Sequence, residues 1–305
     1  MIRAGGAEPA ERERRRLFAI AYRLLGTVAE AEDAVQETLL RWAQAEPGAV
    51  ENPRGWLTAV LTRRCMDLLR SARARREAYV GTWLPEPLVE TPDPAAEDPA
   101  ERVALDESVS MAMLVVLETL SPAERAVFVL HDVFGMDFEE VAAAVGRTPA
   151  ACRQLASRAR RRVEARRPRF DPDPAEQRRL VTAFLEASAS GDLEVLLPLL
   201  DPSVVFRADG GGRVRAAPQP VAGAERVARV LLASLRWYPE ATARSVALNG
   251  GLGALVMAGG QVIAAIGVTT AEGRITEIDV VANPDKLSRL SGSAGQGGGD
   301  AGGKR

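Results

Sequence analysis

Five prolines between residues 85 and 99 constrain the fold of this chain more than any other feature. They stand at positions 85, 87, 92, 94 and 99. A proline lacks the backbone N–H and has a fixed φ, so neither an α-helix nor a central β-strand can run through this spacing. The chain has 305 residues, enough for about two or three domains. We therefore place a linker over residues 81–101, with folded domains on both sides.

Composition excludes several classes of protein. Hydrophobic residues make up 47% of the chain and charged residues 26%, as in soluble globular proteins. No uncharged apolar run reaches about 18 residues, so we predict no membrane span. The two cysteines, Cys65 and Cys152, are too few for a disulfide scaffold or a cysteine-based zinc site. We expect a cytoplasmic protein that needs no metal and no cofactor.

Apolar residues recur at spacings of three and four before the linker, which indicates amphipathic helices. The pattern predicts two helices over residues 17–42, broken at Gly26–Thr27, and a further helix over residues 54–76. Trp56, in the third helix, is expected to be buried rather than to stack on a base. These helices form a small all-α domain over residues 11–80.

A second helical domain, over residues 102–169, carries the pattern of a helix-turn-helix. Ser121 and Glu124 supply an N-cap and a first-turn acid for one helix. A short helix then ends at Gly146, and a second helix, capped by Thr148, follows directly. Two helices joined by a short glycine-containing turn, the second one basic, are typical of a DNA-binding module.

Residues 175–290 have a different character. After a helical stretch, β-branched residues alternate with others in several short runs, and glycine-rich turns separate these runs. The pattern predicts an α+β domain, followed by a flexible tail over residues 291–305. The expected fold class is therefore multidomain, with two all-α domains followed by one α+β domain.

Charge is distributed unevenly, although the formal net charge is only -2. Residues 147–169 carry nine arginines and one acid, and residues 63–76 carry six arginines and one acid. Residues 86–107, between these blocks, carry eight acids and one arginine. A basic block can be no more than a solvated face. Two of them on separate helices favour contact with nucleic-acid phosphates.

Several motifs, in order, resemble those of bacterial sigma factors of the extracytoplasmic-function (ECF) type, over residues 11–170. Residues 33–38 (DAVQET) resemble the segment that docks on the clamp helices of RNA polymerase. Residues 53–57 (PRGWL) and the arginines that follow resemble the segment that melts and reads the minus-10 element. Residues 120–125 (LSPAER) and 148–160 resemble the reader of the minus-35 element. The resemblance implies a sigma factor whose partners are core RNA polymerase and promoter DNA.

The residues of these motifs fit the implied chemistry. Asp33 and Glu37 are four apart, so they share a helix face with Gln36 beside them and could pair with arginines of the polymerase. In a helix-turn-helix, the first turns of the second helix reach base edges and the remainder holds phosphates. The minus-10 candidates are Arg54, Arg63, Arg64 and Arg70, and the minus-35 candidates are Arg153, Gln154, Ser157, Arg158 and Arg161.

The α+β domain extends the chain beyond the usual end of such a sigma factor, and its pattern resembles the cone-shaped SnoaL-like and ketosteroid-isomerase-like fold. Three motifs (WLPEP, DGGGR and NPDKL) are similar to those of the sigma-J-like subfamily, in which a SnoaL-like extension is thought to regulate the sigma domains in cis. Alone, each motif could be a stiff linker, a hairpin turn or a strand stop. The residues that the resemblance makes regulatory are Trp83, Pro85, Asp209, Gly210, Gly211, Gly212, Asn283, Pro284 and Asp285.

Two other functions remain compatible with the residues. A polymerase-independent transcriptional regulator would use the same helix-turn-helix, and a SnoaL-like enzyme fused to a DNA-binding module would need an acid–base pair. Asp209, Asp279 and Tyr238 are the candidate acid–base groups. His131, the single histidine, lies outside the α+β domain and is expected to be structural. A small apolar ligand of that domain could also shift its regulatory state. We predict a sigma factor and not an enzyme.

Overall fold

A computed structural model describes residues 7–46, 50–89, 110–165 and 174–293. These residues divide into two compact units. The helical unit contains residues 7–46, 50–78 and 113–165, and the sheet unit contains residues 79–89, 110–112 and 174–293. The first residues of the predicted linker thus group with the sheet unit. The rest of that linker, the predicted helix start near Arg102 and the predicted tail beyond residue 293 lie outside the described residues.

Three helices form the first half of the helical unit: α1 (Ala7–Leu25), α2 (Val28–Gln44) and α3 (Pro53–Glu77). The predicted break between the first two is confirmed. Gly26 adopts a φ of 73° there, a left-handed conformation that glycine takes at little cost. The core between these helices includes the fully buried Leu17, Ile20, Leu24, Leu57 and Leu61.

Four helices and one π-helical turn form the second half, and the first two residues of the first helix group with the sheet unit. They are α4 (Met111–Leu117), α5 (Pro122–Val127), the π-helical turn (Phe128–Val133), α6 (Phe138–Val145) and α7 (Pro149–Glu164). The predicted caps are confirmed, because Ser121 forms a capping box with Glu124 and the Thr148 hydroxyl accepts a hydrogen bond from the backbone of α7. A second capping box, Asp137 with Glu140, starts α6. Helices α6 and α7 are the predicted helix-turn-helix.

The sheet unit has the predicted α+β architecture. Its six strands lie in the order β2-β1-β6-β5-β4-β3, and every neighbouring pair is antiparallel except β1 with β6. In chain order the elements are α8 (Pro174–Ser190), α9 (Leu193–Leu196), β1 (Leu200–Asp209), β2 (Val221–Ala222), α10 (Ala224–Leu235), β3 (Thr242–Leu248), β4 (Gly251–Ala258), β5 (Gln261–Ala271), β6 (Arg274–Val281) and α11 (Pro284–Ser293).

Within the described part of the chain, no helix is long and apolar enough to cross a membrane.

One face of the sheet packs on helices α8 and α10. Phe206 of β1 and Ile278 of β6 share a buried apolar cluster with Phe184 of α8 and Leu231 of α10. Because side chains alternate along a strand, Arg207 and Asp279 are directed to the opposite face. That alternation also directs Asp209, the last residue of β1, away from this core.

Candidate polymerase and nucleic-acid interface

Helix α2 presents a polar face opposite its buried stripe. The stripe consists of Ala31, Ala34, Val35 and Thr38 along with Val28. The predicted docking residues Asp33 and Gln36 are exposed, and Glu37 is half-buried. Leu40 lies on the same face with 56% of its surface exposed, and the sequence reasoning missed it. The sequence did contain a signal for its exposure, because Leu40 is an apolar residue that falls outside the spacing of the buried stripe.

Glu37 is already paired within the helical unit. Its carboxylate accepts a hydrogen bond from Arg41, one turn along α2, at 2.6 Å. The Nε atom of Arg64 on α3 lies 2.7 Å from the other carboxylate oxygen. A residue predicted to bind polymerase is therefore joined to a residue predicted to bind DNA.

The four predicted minus-10 arginines do not share one face of α3. Arg63 and Arg70 are exposed and are seven residues apart, so they lie on one side of the helix. Arg64 turns instead toward α2, and Arg54 lies in the first turn, 3.8 Å from Glu13. Arg70 forms an ion pair with Asp67 at 2.7 Å. The structure thus brings two of the four together on the solvent-facing side.

Trp56 is half-buried rather than buried as predicted. Its ring meets that of Trp42 on α2 edge to face at 5.5 Å between centroids. The loop before α3 is held by Asn52, whose side chain accepts a hydrogen bond from the Gly55 amide at 3.0 Å. These contacts fix the start of α3, where Arg54 lies.

Arginines also connect the two halves of the helical unit. The Nη2 atom of Arg63 donates a hydrogen bond to the carbonyl of Ala143 on α6 at 2.9 Å. Arg125, on α5, is fully buried and donates through Nε to the carbonyl of Arg23 on α1 at 3.0 Å. It also pairs with Glu118. The helix-turn-helix therefore packs against the helices that carry the minus-10 candidates.

Helix α7 has a buried side and an outward-facing side. Its buried side is Cys152, Ala156, Ala159 and Val163. At 100° per residue, the side opposite this stripe contains Gln154, Ser157 and Arg161, all of which are exposed. Three of the five predicted minus-35 residues thus form one outward row.

Arginines on both flanks of that row are held by acids of other elements. On one flank, Arg158 and Arg162 lie 3.7 Å and 2.8 Å from the carboxylate of Glu124. Burial acts to raise the pKa of Glu124, but hydrogen bonds from Ser121 and the two arginine charges outweigh it and hold the pKa below its usual value. Glu124 therefore stays ionised and positions both arginines while it caps α5.

On the other flank, Arg160 pairs with Asp132 of the π-helical turn. Arg153 lies 3.4 Å from Glu139 and over the ring of Phe138, 5.3 Å from its centroid. The same ring stacks on His131 at 3.9 Å, and Nδ1 of His131 lies 2.7 Å from the Met136 carbonyl. His131 thus has the structural role expected of it.

Asp209 organises a separate cluster within the sheet unit. Its carboxylate is fully buried and accepts four hydrogen bonds. Oδ1 accepts from the Tyr79 hydroxyl at 2.7 Å and from the Gly211 amide at 3.0 Å. Oδ2 accepts from the Leu84 amide at 2.9 Å and from the Lys286 ammonium at 2.7 Å. Residues of all three subfamily motifs, WLPEP, DGGGR and NPDKL, meet at this carboxylate.

Lys286 and Asn283 complete the Asp209 cluster. The Lys286 ammonium lies 4.2 Å from the Trp83 ring centroid and 5.4 Å from that of Tyr79, distances at which a cation is attracted to a π face. It also donates to the Leu84 carbonyl. Asn283 donates to the Tyr79 hydroxyl at 2.8 Å. The sequence reasoning missed Tyr79 and Lys286, although Lys286 lies inside a motif that it quoted.

The remaining motif residues shape this cluster. Gly211 adopts a φ of 62°, and a Cβ there would collide with the amide of Asn283. A Cβ on Gly210 would lie 2.5 Å from the Val214 carbonyl, and one on Gly212, at a φ of 69°, would meet Val80 at 3.2 Å. Pro85 is buried, Pro284 begins α11, and the Asp285 amide donates to the side chain of Asn283 at 3.0 Å.

The linker residues continue along the sheet unit as far as they are described. The Leu88 amide donates to the side chain of Asn249 at 3.1 Å, and the Asn249 amide donates to the Leu88 carbonyl at 2.8 Å. Val89 then pairs with Leu248 at the end of β3. Residues 79–89, which we call the docked linker, are thus held at the Asp209 cluster and at Asn249.

The carboxylates suggested for acid–base work already have partners. Asp209 is occupied by the four donors above. Asp279 is buried and pairs with Arg207 at 2.7 Å; burial raises its pKa to about 6 against the opposing effect of that arginine. Glu277 also pairs with Arg207, at 2.9 Å. Tyr238 is 44% exposed. Both aspartates thus form hydrogen bonds and ion pairs within the sheet unit.

Comparisons with known proteins agree with this architecture. The family model described as Sigma-70 region 2 matches residues 10–75, and that described as Sigma-70, region 4 matches residues 110–163. The chain is 42% identical over 287 residues to the ECF RNA polymerase sigma factor SigJ of Mycobacterium tuberculosis, a match that covers 90% of this chain and 91% of SigJ. It is 33% identical over 237 residues to SigG of the same species, a match that covers 66% and 63%.

The crystal structure of M. tuberculosis SigJ is similar across both units, with a TM-score of 0.74 at 38% identity over 92% of this chain and 98% of that one. Two sigma-70 helical modules followed by an α+β domain define a transcription initiation factor with an α+β extension. The chain belongs to the ECF RNA polymerase sigma factor family. The predicted family and fold class are therefore confirmed.

Proposed function

We propose that this chain recruits core RNA polymerase through α2, melts and reads the minus-10 element through α3, and anchors the minus-35 element through α7. The alternative is a regulator that binds DNA without polymerase. The observation that carries the proposal is the exposed face of α2, where Asp33, Gln36 and Leu40 combine charge, an amide and an apolar side chain. Acidic side chains repel DNA phosphates, so this face suits a protein partner better than DNA. The proposed site of action is the cytoplasm, where the polymerase is.

Within α7, we assign base reading to the outward row and phosphate contact to the flanks. Gln154 can bind adenine bidentately, and Arg161 can bind guanine or reach a phosphate. Arg153, Arg158 and Arg162 are held by acids, so their guanidinium groups are positioned before DNA arrives. Positioned charges at the edges of a helix suit the phosphates on either side of a major groove.

We further propose that the sheet unit regulates the sigma domains by holding the docked linker. Minus-10 and minus-35 elements lie about 25 base pairs apart, or roughly 85 Å of B-DNA. Residues 90–109 alone, fully extended, span at most about 70 Å at roughly 3.5 Å per residue. Release of residues 79–89 adds about 38 Å. Docking therefore limits how far apart the two helical modules can reach.

The test of polymerase recruitment is promoter-directed transcription with bacterial core polymerase on a library of upstream sequences. We expect initiation from a subset of sequences. The double variant Asp33→Asn/Glu37→Gln should lose initiation while its binding to duplex DNA persists. If the wild-type chain binds duplex DNA but never initiates, the polymerase-independent regulator is the correct function.

The test of regulation in cis is the variant Lys286→Met in the same assay. The substitution keeps side-chain length and removes the charge that pairs with Asp209, so it should weaken docking of the linker. We expect the initiation rate to change, and its direction tells whether docking restrains or assists the factor. Glu225→Gln, at an exposed ion pair with Arg229 on α10, is the matched control. An unchanged rate in Lys286→Met would refute regulation through the docked linker.

A small apolar ligand remains a further part of the proposal. It would have to enter between the sheet and helices α8 and α10, where Phe184, Phe206 and Leu231 form the buried core. A thermal-shift screen of apolar compounds against the whole chain tests this. We expect a binder to raise the melting temperature, since a ligand that binds only the folded state stabilises it by mass action.

A further inference from the structure

We infer that Glu37 changes partners during initiation: in the unbound chain it holds Arg64, and when polymerase takes Glu37, Arg64 becomes available to DNA. The inference rests on the proposed function of α2 and α3. It adds an exchange that neither helix reveals by itself, because the two residues are 27 positions apart and meet only in the fold.

The geometry supports an exchangeable pair. The Arg64 Nε atom lies 2.7 Å from Glu37, with 39% of the arginine side chain and 35% of the glutamate side chain exposed. The Nε atom of Arg64 is itself buried, but other parts of both side chains reach solvent, so a new partner can approach either residue. A fully buried pair would be far more costly to separate, whereas a partly exposed pair exchanges partners readily.

Arg41 and Arg64 contact different oxygens of Glu37. Arg41 donates to one of them at 2.6 Å, and Arg64 lies against the other. An arginine from the polymerase that approaches this second oxygen would take the place of Arg64, while Arg41 keeps its own contact. Arg64 would then turn from α2 toward the side of α3 that carries Arg63 and Arg70.

Thermodynamic linkage fixes the sign of two effects. If Arg64 and polymerase compete for Glu37, then removal of Glu37 must favour DNA binding, and removal of Arg64 must favour polymerase binding. Removal of a residue that only contacts DNA would leave polymerase affinity unchanged, so the second effect distinguishes the exchange from simple DNA contact. The size of each follows from the strength of an exposed ion pair, which corresponds to about a two- to fivefold change in affinity.

The first experiment measures binding of the full-length chain to a fluorescein-labelled, mixed-sequence single-stranded DNA 15-mer by anisotropy, without polymerase. Glu37→Gln should bind about two- to fivefold more tightly than wild type. The gain should vanish in the Arg64→Ala background, and Glu32→Gln, which removes the same charge from an exposed position on α2, should give a smaller gain. An equal gain in Glu32→Gln, or a gain that persists without Arg64, would overturn the inference.

The second experiment measures the affinity of the full-length chain for core polymerase. Arg64→Ala should bind about two- to fivefold more tightly than wild type, and Arg15→Ala, at an exposed position on α1, is the charge-matched control. Unchanged or weaker binding of Arg64→Ala refutes the exchange while leaving the sigma function intact. If neither wild type nor variant binds polymerase, it is the proposed function that fails. The two failures are therefore distinguishable.

Discussion

Asp209→Asn is the sharpest test of the docked linker, because it keeps the volume of the side chain and changes only its charge and its hydrogen bonding. Each carboxylate oxygen accepts two hydrogen bonds. An asparagine replaces one oxygen by an NH2 group, so two donors lose their acceptor whichever way the amide turns. In one orientation these donors are the Leu84 amide and the Lys286 ammonium. In the other they are the Gly211 amide and the Tyr79 hydroxyl, which can accept from the NH2 group but then has no acceptor there for its own proton.

The expected cost follows from the burial of the pair. Removal of one partner from a buried ion pair costs about 3–5 kcal/mol, and each buried donor left without an acceptor costs about 1–3 kcal/mol. The Lys286 side chain is 10% exposed, so some water can reach it. We therefore take the low end of this range, about 3 kcal/mol, as the amount by which Asp209→Asn destabilises the docked linker. That value raises the open fraction of the docked linker about a hundredfold.

Native-state hydrogen exchange measures this directly at the Leu84 amide, whose acceptor is Asp209. We expect its exchange to accelerate about a hundredfold in Asp209→Asn and to stay at the wild-type rate in Glu225→Gln. The Asn249 amide, at the far end of the docked linker, should accelerate with it if the linker opens as one segment. An acceleration of less than about tenfold at Leu84, or less than 1.4 kcal/mol, would show that the Asp209 cluster does not hold the linker.

Three further outcomes follow from the helical unit. Gln154→Ala should relax minus-35 specificity at one position, at a cost of about 1–3 kcal/mol. Arg162→Ala should instead weaken binding to all duplexes and reduce by about 1 the slope of log affinity against log salt concentration. Filter binding at several salt concentrations distinguishes the two effects. Leu40→Asp should weaken polymerase binding about tenfold, or about 1.4 kcal/mol, in pull-down titrations without altering DNA affinity. Glu124 has a lowered pKa in the folded state. Its contribution to the free energy of unfolding is therefore present above the ordinary carboxyl pKa and is lost as pH falls through the lowered pKa. Urea unfolding at a series of pH values should show this loss of stability in wild type and not in Glu124→Gln.

The elements that sequence predicted best are those set by neighbouring residues. The capping box at Ser121 and the Thr148 cap each depend on a side chain within three residues of the backbone group it serves. The break at Gly26 depends only on the conformational freedom of that glycine. The buried stripe of α7 also follows from a local period of 3.6. Such features need no knowledge of the remainder of the fold, so the helix-turn-helix could be read directly.

Contacts between distant residues could not be predicted in this way. Tyr79 and Asp209 are separated by 130 positions, and Lys286 follows Asp209 by 77. No spacing rule connects them, because the sheet decides which ends of the chain meet. The motif resemblance grouped the three segments without showing that one carboxylate joins them. The pairs of Arg64 with Glu37 and of Arg158 with Glu124 could not be predicted either, because the packing of helices brings these residues together and no spacing rule connects them.

The burial of both cysteines bears on how this factor can respond to its surroundings. Cys65 and Cys152 are free thiols with no exposed surface, and burial raises the pKa of each above its ordinary value. Oxidants react with the thiolate, and they need access to it. The folded chain therefore holds both thiols in their unreactive form. An oxidative stress that changes transcription by this factor is therefore expected to act elsewhere than on these two thiols.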